Sequence, residues 1–279
     1  MRSADFAGII PVEAPGEAME LELNGKVALV TGANRGIGAA IATELAREGM
    51  HLCLVARDPV KLQDVADTLV KTANINVQVF PADLRHPDAP RQAIAAAVGH
   101  FGRLDLLVNN AGATKRADFF TLTEEDWQDG FALKFHGYVR MTRAAWPHLR
   151  STNGNIVNIV GIGARSGSAE FTIGGSVNVA LLNFTKAMAD IGISQGVRVN
   201  AVNPGLIATD RFTRNVERVM RERGFNRDEA LTFLVSSHGT TRVGKPEEIG
   251  NLVAYLASSK ADFIQGSIID ADGGATRSL

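Results

Sequence analysis

Thr31-Gly32-Ala33-Asn34-Arg35-Gly36-Ile37-Gly38 lies between an apolar run, Val27-Ala28-Leu29-Val30, and the stretch Ala39-Ala40-Ile41-Ala42-Thr43-Glu44-Leu45-Ala46. The first flank reads as a short buried strand and the second as a helix. A glycine-rich turn joining a buried strand to a helix N-terminus is a phosphate site. Glycines let the backbone turn tightly and approach the ligand, and the free N–H groups and dipole of the helix start face the anion. Gly32, Gly36 and Gly38, with Asn34, Arg35 and Ile37 among them, are therefore candidate contacts for a phosphorylated ligand.

The rest of the chain alternates in the same way. Strands are expected at Val27–Thr31, His51–Ala56, Asn76–Pro81, Leu104–Asn109, Gly154–Val160, Val197–Asn203 and Ser267–Asp270. Helical patterns lie near 37–48, 59–73, 87–101, 124–150, 174–194 and 246–258. The strands are continuous apolar runs, so both faces of the sheet should be covered. Seven strands with crossover helices predict an α/β protein, a single-domain doubly wound parallel sheet that binds ligands beyond the carboxyl ends of its strands.

Composition narrows the function classes. The 279 residues carry a formal net charge of −1, with 45% hydrophobic and 21% charged residues. Nothing there argues for nucleic acid or an anionic membrane as partner. No apolar run approaches the ~20 residues of a membrane span. The single cysteine, Cys53, reads as a buried strand thiol. Residues 1–22 are expected to form a flexible extension and 23–279 the domain, with no basic start or apolar core of a secretory signal, so the protein is read as cytoplasmic. No metal site is expected.

Leu106-Leu107-Val108-Asn109-Asn110-Ala111-Gly112 closes the fourth strand. Small residues there let the backbone pass beneath a ribose, and an Asn amide can tie neighbouring strands. With the glycine turn and its preceding Thr, this Asn-Asn-Ala-Gly motif resembles the short-chain dehydrogenase/reductase family, a Rossmann-type fold. Asn203-Pro204-Gly205-Leu206-Ile207-Ala208-Thr209 and Asp270-Ala271-Asp272-Gly273-Gly274 add to the resemblance, which covers about residues 24–275. It implies that the Pro204-Gly205 loop carries the nicotinamide carboxamide through the Ile207 backbone, and that Thr209 touches the cofactor phosphates. Asn110, Ala111 and Gly112 would lie beneath the ribose. Asp83, at a strand end, can accept from the adenine amino group, with Leu84 packing or donating its N–H.

An acidic residue closing the second strand would favour NAD, yet Ala56 stands there and Arg57 follows. Arg57 and Arg35 make a basic pocket suited to a 2′-phosphate, so NADP(H) is expected in preference to NAD(H).

The family's proton relay is a Tyr, a Lys four residues on, a Ser and an Asn from the preceding helix. Anchored on Ala180, Leu181, Phe184, Thr185 and Lys186, the Tyr position falls on Gly174 and the Lys position on Asn178. The Ser position falls on Gly161 and the Asn position on Lys134. The chain's two tyrosines, Tyr138 and Tyr255, cannot be shifted into that segment. Three readings follow. One is an oxidoreductase acting on a CH–OH or C=O group of a small molecule, with Lys134 as a rebuilt proton donor and the glycines at 161, 163, 174 and 175 opening space. Arg165, Glu170 and Ser176 would supply further polar groups. Another is a silent NADP(H)-binding protein, acting as a sensor or a partner subunit. The third is a non-redox lyase that keeps the cofactor site. His136 is expected to point off the Lys134 face.

Leu206 to Gly244 is expected to form the substrate lid, rich in arginine from Arg211 to Arg227. Its basic character points to an anionic substrate, although Glu217, Glu222, Asp228 and Glu229 offer the arginines partners on a solvated face. Family members commonly form homodimers or homotetramers. Pairing is expected through the helices at 124–150 and 174–194, with Trp127, Phe131, Phe135, Tyr138 and Trp146 along one buried face.

Overall fold

A computed structural model describes residues 19–277; the greater part of the expected extension lies outside the described residues. Seven parallel strands form one sheet in the order β3-β2-β1-β4-β5-β6-β7. They are β1 (Val27–Thr31), β2 (His51–Ala56), β3 (Val77–Pro81), β4 (Leu106–Asn109), β5 (Asn155–Ile159), β6 (Arg198–Pro204) and β7 (Ile268–Ala271). β1 lies inside the sheet between β2 and β4, every residue of it buried. Ala28 and Val30 face the core cluster that also holds Ile41, Leu45 and Val253. Val27 and Leu29 face the opposite cluster with Ile94, Met141 and Leu149. One strand thus feeds two cores, which is why its sequence is continuously apolar.

Helices α1 (Gly36–Arg47), α2 (Pro59–Thr72) and α9 (Pro246–Ala257) cover the first face. Gly250 lets α9 lie close on α1: a Cβ there would fall 2.6 Å from Glu44 Cγ and 3.0 Å from the Ala40 carbonyl oxygen. Helices α3 (Ala89–Phe101), α5 (Gly137–Thr152) and α6 (Thr172–Ile193) cover the other. Strand order reverses between β1 and β4, and the cleft opens beyond their carboxyl ends. Among the described residues no helix is long and apolar enough to cross a membrane. Burial pushes the Cys53 thiol up to about 12.

Two expectations need correction. The helix read over 124–150 is three pieces: α4 (Glu124–Gly130), a π-helical segment Phe131–His136, and α5. The apolar spacing carries through all three, so periodicity alone could not show the widened turn. The fourth strand begins at Leu106 rather than Leu104. Arg103 and Val27 both hold the Asp105 carboxylate, which caps the strand entrance instead of extending it.

Candidate functional site: a dinucleotide cleft with a buried lysine

The glycine turn has the backbone its sequence demands. Gly32 and Gly36 have φ of +67° and +56°, where glycine is favoured. A Cβ on Gly38 would collide with the Gly32 carbonyl oxygen, so α1 starts directly against the turn. Thr31 Oγ1 accepts from the N–H groups of Asn110 (2.9 Å) and Ala111 (3.0 Å) and donates to Val108 O (3.2 Å). Asn110 Nδ2 returns a bond to Thr31 O at 2.9 Å. Turn and β4 end are thereby locked together at the switch point. Asn109 ties strands, as the sequence suggested: its Nδ2 donates to Asn158 Oδ1 at 3.0 Å, and Asn158 Nδ2 donates to Thr185 Oγ1 at 2.9 Å. Asn34 and Ile37 line the same turn, and Ile37 packs on the core behind it.

Pro204 ends β6, and Gly205 admits Asp272, whose Cα would lie 2.7 Å from a Cβ at 205. Ile207 is buried and bridges to Gly244, and Thr209 lies over Gly36. The glycine turn, the Asn-Asn-Ala-Gly segment and the Pro-Gly loop therefore rim one cleft. Arg35 and Arg57 stand exposed beside it. Arg35 Nη1 lies 3.5 Å from Asp210 Oδ2, and Arg57 Nη1 3.9 Å from Asp83 Oδ2. Burial raises the Asp83 carboxyl, but hydrogen bonds and charge from Arg85, with Arg57, outweigh it and hold the group low. Leu84 is buried and packs in the core.

Lys134 sits in the π-helical segment and reaches into this cleft. Its Nζ donates to Val160 O at 2.6 Å and to Asn178 Oδ1 at 2.7 Å. Asn178 Nδ2 in turn donates to Gly161 O at 3.4 Å. Burial pulls the Lys134 ammonium down from 10.5 to about 7, and Arg211 adds to the fall. The three positions 134, 161 and 178 are thus one hydrogen-bonded group. His136 is exposed.

Space around the other glycines differs from expectation. The Phe171 ring fills it: a Cβ on Gly163 would come within 2.8 Å of Phe171 Cε1, and one on Gly174 would run into the ring itself. Room remains at Gly161 and Gly175. Arg165 is not free for the cleft either, because Asp270 holds it at 3.1–3.2 Å. Glu170 is engaged by Arg218 at 3.5 Å, and Ser176 is exposed. Neither tyrosine hydroxyl is available. Tyr138 is fully buried with its OH donating to Ile159 O at 3.0 Å, and burial raises its pKa. Tyr255 OH donates to Lys260 O at 3.3 Å.

Sequence reading missed Phe171, Arg116 and the clamp made by Thr31. An aromatic residue three positions before a helical glycine was the available signal for Phe171, since i and i+3 share a helix face. Arg116 Cζ lies 4.2 Å from the Phe171 ring centroid, a contact between distant loops that no local pattern announces.

Comparison with known proteins agrees with this geometry. The family model described as enoyl-(acyl carrier protein) reductase matches residues 32–276. An acetoacetyl-CoA reductase of Shinella zoogloeoides is 35% identical over 250 residues, 89% of this chain and 98% of that one. An NADPH-dependent reductase of Bacillus subtilis is 32% identical over 256 residues, 91% of this chain and 99% of its own. L-sorbose reductase from Gluconobacter frateurii, solved with NADPH and L-sorbose, superposes with a TM-score of 0.89 at 31% identity, covering 94% of this chain and 100% of that one.

Proposed function

From the premise that this chain belongs to the short-chain dehydrogenase/reductase family, we propose an NADP(H)-dependent oxidoreductase acting on a CH–OH or C=O group, with Lys134 exchanging the proton. One observation carries the reading: Lys134 Nζ is buried in the cleft between Val160 O and Asn178 Oδ1, with its ammonium drawn down to about 7. By resemblance, positions 134 and 178 hold Asn and Lys elsewhere in the family. Here amine and amide have traded helices and remain bonded to each other, so a cation still stands in the relay.

The residues present fit the cofactor. A Cβ on Gly32 or Gly38 would run into Asn110 or the turn's own carbonyl, so the turn keeps a bare backbone, and α1 offers its N-terminus to a phosphate. Arg35 and Arg57 would hold the 2′-phosphate, with Asp83 toward the adenine and the backbone of Asn110–Gly112 beneath the ribose. Asp210 lies near Arg35 and Asp83 near Arg57, and both arginine side chains remain more than half exposed at the cleft rim. The cofactor, when held there, would supply a hydride for the carbonyl carbon. Lys134 then gives a proton from Nζ to the carbonyl oxygen, and Val160 O and Asn178 Oδ1 keep the amine aimed as it loses charge. Water in the cleft reprotonates it. An amine near pH 7 serves both directions, because neither protonation state is scarce.

NADPH oxidation across a carbonyl panel tests this against Lys134→Gln. Loss of a positioned acid costs about 10²–10⁴ in kcat, so a fall of at least 100-fold is expected, with NADPH binding by fluorescence retained. A Gln variant as fast as the parent would overturn the role of Lys134. Saturable NADPH binding with no turnover in the parent would favour the silent binder, a reading supported by the absence of a reachable phenol at Tyr138 or Tyr255. Helices α7 (Asp210–Arg223) and α8 (Arg227–Ser237), with their own small core of Val216, Val219, Ala230 and Leu234, are the proposed substrate lid.

A further inference from the structure

Three arginines at the mouth of the cleft are unused by the chemistry above. Arg116 comes from the loop after β4, Arg211 from the first turn of α7, and Arg218 from further along α7. Arg218 is compensated, with Glu222 at 3.3 Å and Glu170 at 3.5 Å. Among the described residues, Arg116 and Arg211 make no salt bridge. Arg116 is held by its stacking on Phe171 at 4.2 Å. Arg211 Nη2 donates to Gly112 O at 3.0 Å, which spends one of its five N–H donors.

Burial lowers the Arg116 guanidinium, and Arg218 and Arg211 lower it further while Glu170 opposes them. Burial lowers Arg211 as well, with Arg214 and Arg35 adding to it. Arg116 therefore feels the charge of Arg211 across the cleft mouth, where both side chains stand exposed to an incoming ligand. Like charges gathered in a cleft wall are unfavourable until an anion joins them, and guanidinium forks match a carboxylate.

The position limits the size of the ligand. Gly112 touches Arg211 through its carbonyl, and a Cβ on Gly112 would fall 3.0 Å from Lys134 Cδ. Gly112 thus lies between the Arg211 guanidinium and the Lys134 stem, with the amine at the far end of that stem. An anion on Arg211 would sit only a few bonds from a carbonyl at Lys134.

Resting on the reductase reading, the geometry points to Arg116 and Arg211 as the receptor for a carboxylate on the substrate, which is then a short keto acid or its hydroxy acid. Two guanidinium groups orient the acid, and its carbonyl meets Lys134. A neutral ketone lacks the handle, and a long thioester places its charge too far away.

Equilibrium binding to the NADP⁺-saturated protein tests this without turnover. The probes are acetoacetate and levulinate, their methyl esters, and dihydroxyacetone phosphate. The acids are expected to bind at least tenfold more tightly than the esters. Raising NaCl from about 50 to 500 mM should weaken the acids and leave the esters nearly unchanged, because screening acts on the charge. That arm needs no variant. In Arg211→Gln and Arg116→Gln, with circular dichroism confirming the fold, the acid-to-ester affinity ratio should drop about tenfold. Esters binding as well as acids, or the phosphate binding better than either acid, overturns the assignment. Acid preference retained in a protein that never oxidises NADPH would leave the receptor standing and remove the reductase reading. Ester turnover without acid preference would do the reverse.

Discussion

Phe171 decides what can be done at position 174. Its ring lies where a side chain on Gly174 would go, and Arg116 stacks on that same ring. Gly174→Ala gains about 0.5–1 kcal/mol of helix propensity, but overpacking costs about 1–3 kcal/mol. The Phe171 ring can swing, which softens the clash and releases Arg116. A net loss of about 1 kcal/mol is expected by denaturant titration, together with weaker substrate binding. Restoring the family's phenol by Gly174→Tyr in a Lys134→Gln background should therefore give no more activity than Lys134→Gln itself. Phe171→Ala must accompany it, with Asn178→Lys and Lys134→Asn to rebuild the relay. Turnover regained by Gly174→Tyr in the Lys134→Gln background would show that the ring is not the obstacle. Gly161 sets a second barrier, because its φ of +128° strains any side chain, including the family's Ser. Neither obstacle was legible in the sequence. A glycine in a string looks like vacant space, and only coordinates show that a neighbour has filled it or that the backbone has turned.

At the scale of elements, two facing helices share one proton site. α6 supplies Asn178 and the π-helical segment supplies Lys134, with 2.7 Å between them. A π turn changes which way a side chain faces relative to the flanking α-helix. It leaves no trace in composition, so the sequence placed Lys134 near the pocket without showing what it bonds. The pairing makes Asn178 a positioning residue whose neutral amide oxygen accepts from the lysine. Asn178→Asp would put a carboxylate against the ammonium and favour its charged form. Opposite charge at this range shifts a pKa by about 1–3 units. Reduction needs the protonated amine, so the parent should lose kcat as pH rises through about 7. In Asn178→Asp that limb should move upward, to higher pH, while the oxidation direction needs higher pH to start. A limb that stays in place would mean that Lys134 does not set it. Lys134→Arg should abolish the limb, since a guanidinium holds its proton throughout.

For the whole molecule, the sheet was the most legible part. Continuous apolar runs dictate strands buried on both sides, and crossover handedness leaves few ways to arrange them. The assembly was less legible, because one helix face serves two purposes. Trp127, Phe131 and Phe135 were read as a single stripe with Tyr138 and Trp146, yet those three and Tyr138 pack within the chain around Ile173 and Leu181. Only Trp146 joins the outer seam. There α5 presents Val139, Arg143, Trp146 and Arg150, and α6 presents Phe184, Met188 and Ile191, with Gln195 just past its end. The α5 set runs at i, i+4, i+7, i+11 and the α6 set at i, i+4, i+7, the spacing of one helix face. Between them lies a recess of about 460 Å³, and Ile191 is 44% exposed at its edge. A two-helix apolar seam of this form is what an isologous helix pair buries. We expect light scattering to report a dimer or tetramer at micromolar concentration. Ile191→Glu would place a charge at the seam on each protomer, where desolvation and like-charge repulsion both oppose pairing. Because Ile191 is already solvent-facing, the monomer should keep its fold and its circular dichroism while the assembly dissociates. A parent that is monomeric, or a Glu variant that assembles as before, would place any pairing on another face and leave the exposed stripe without this role.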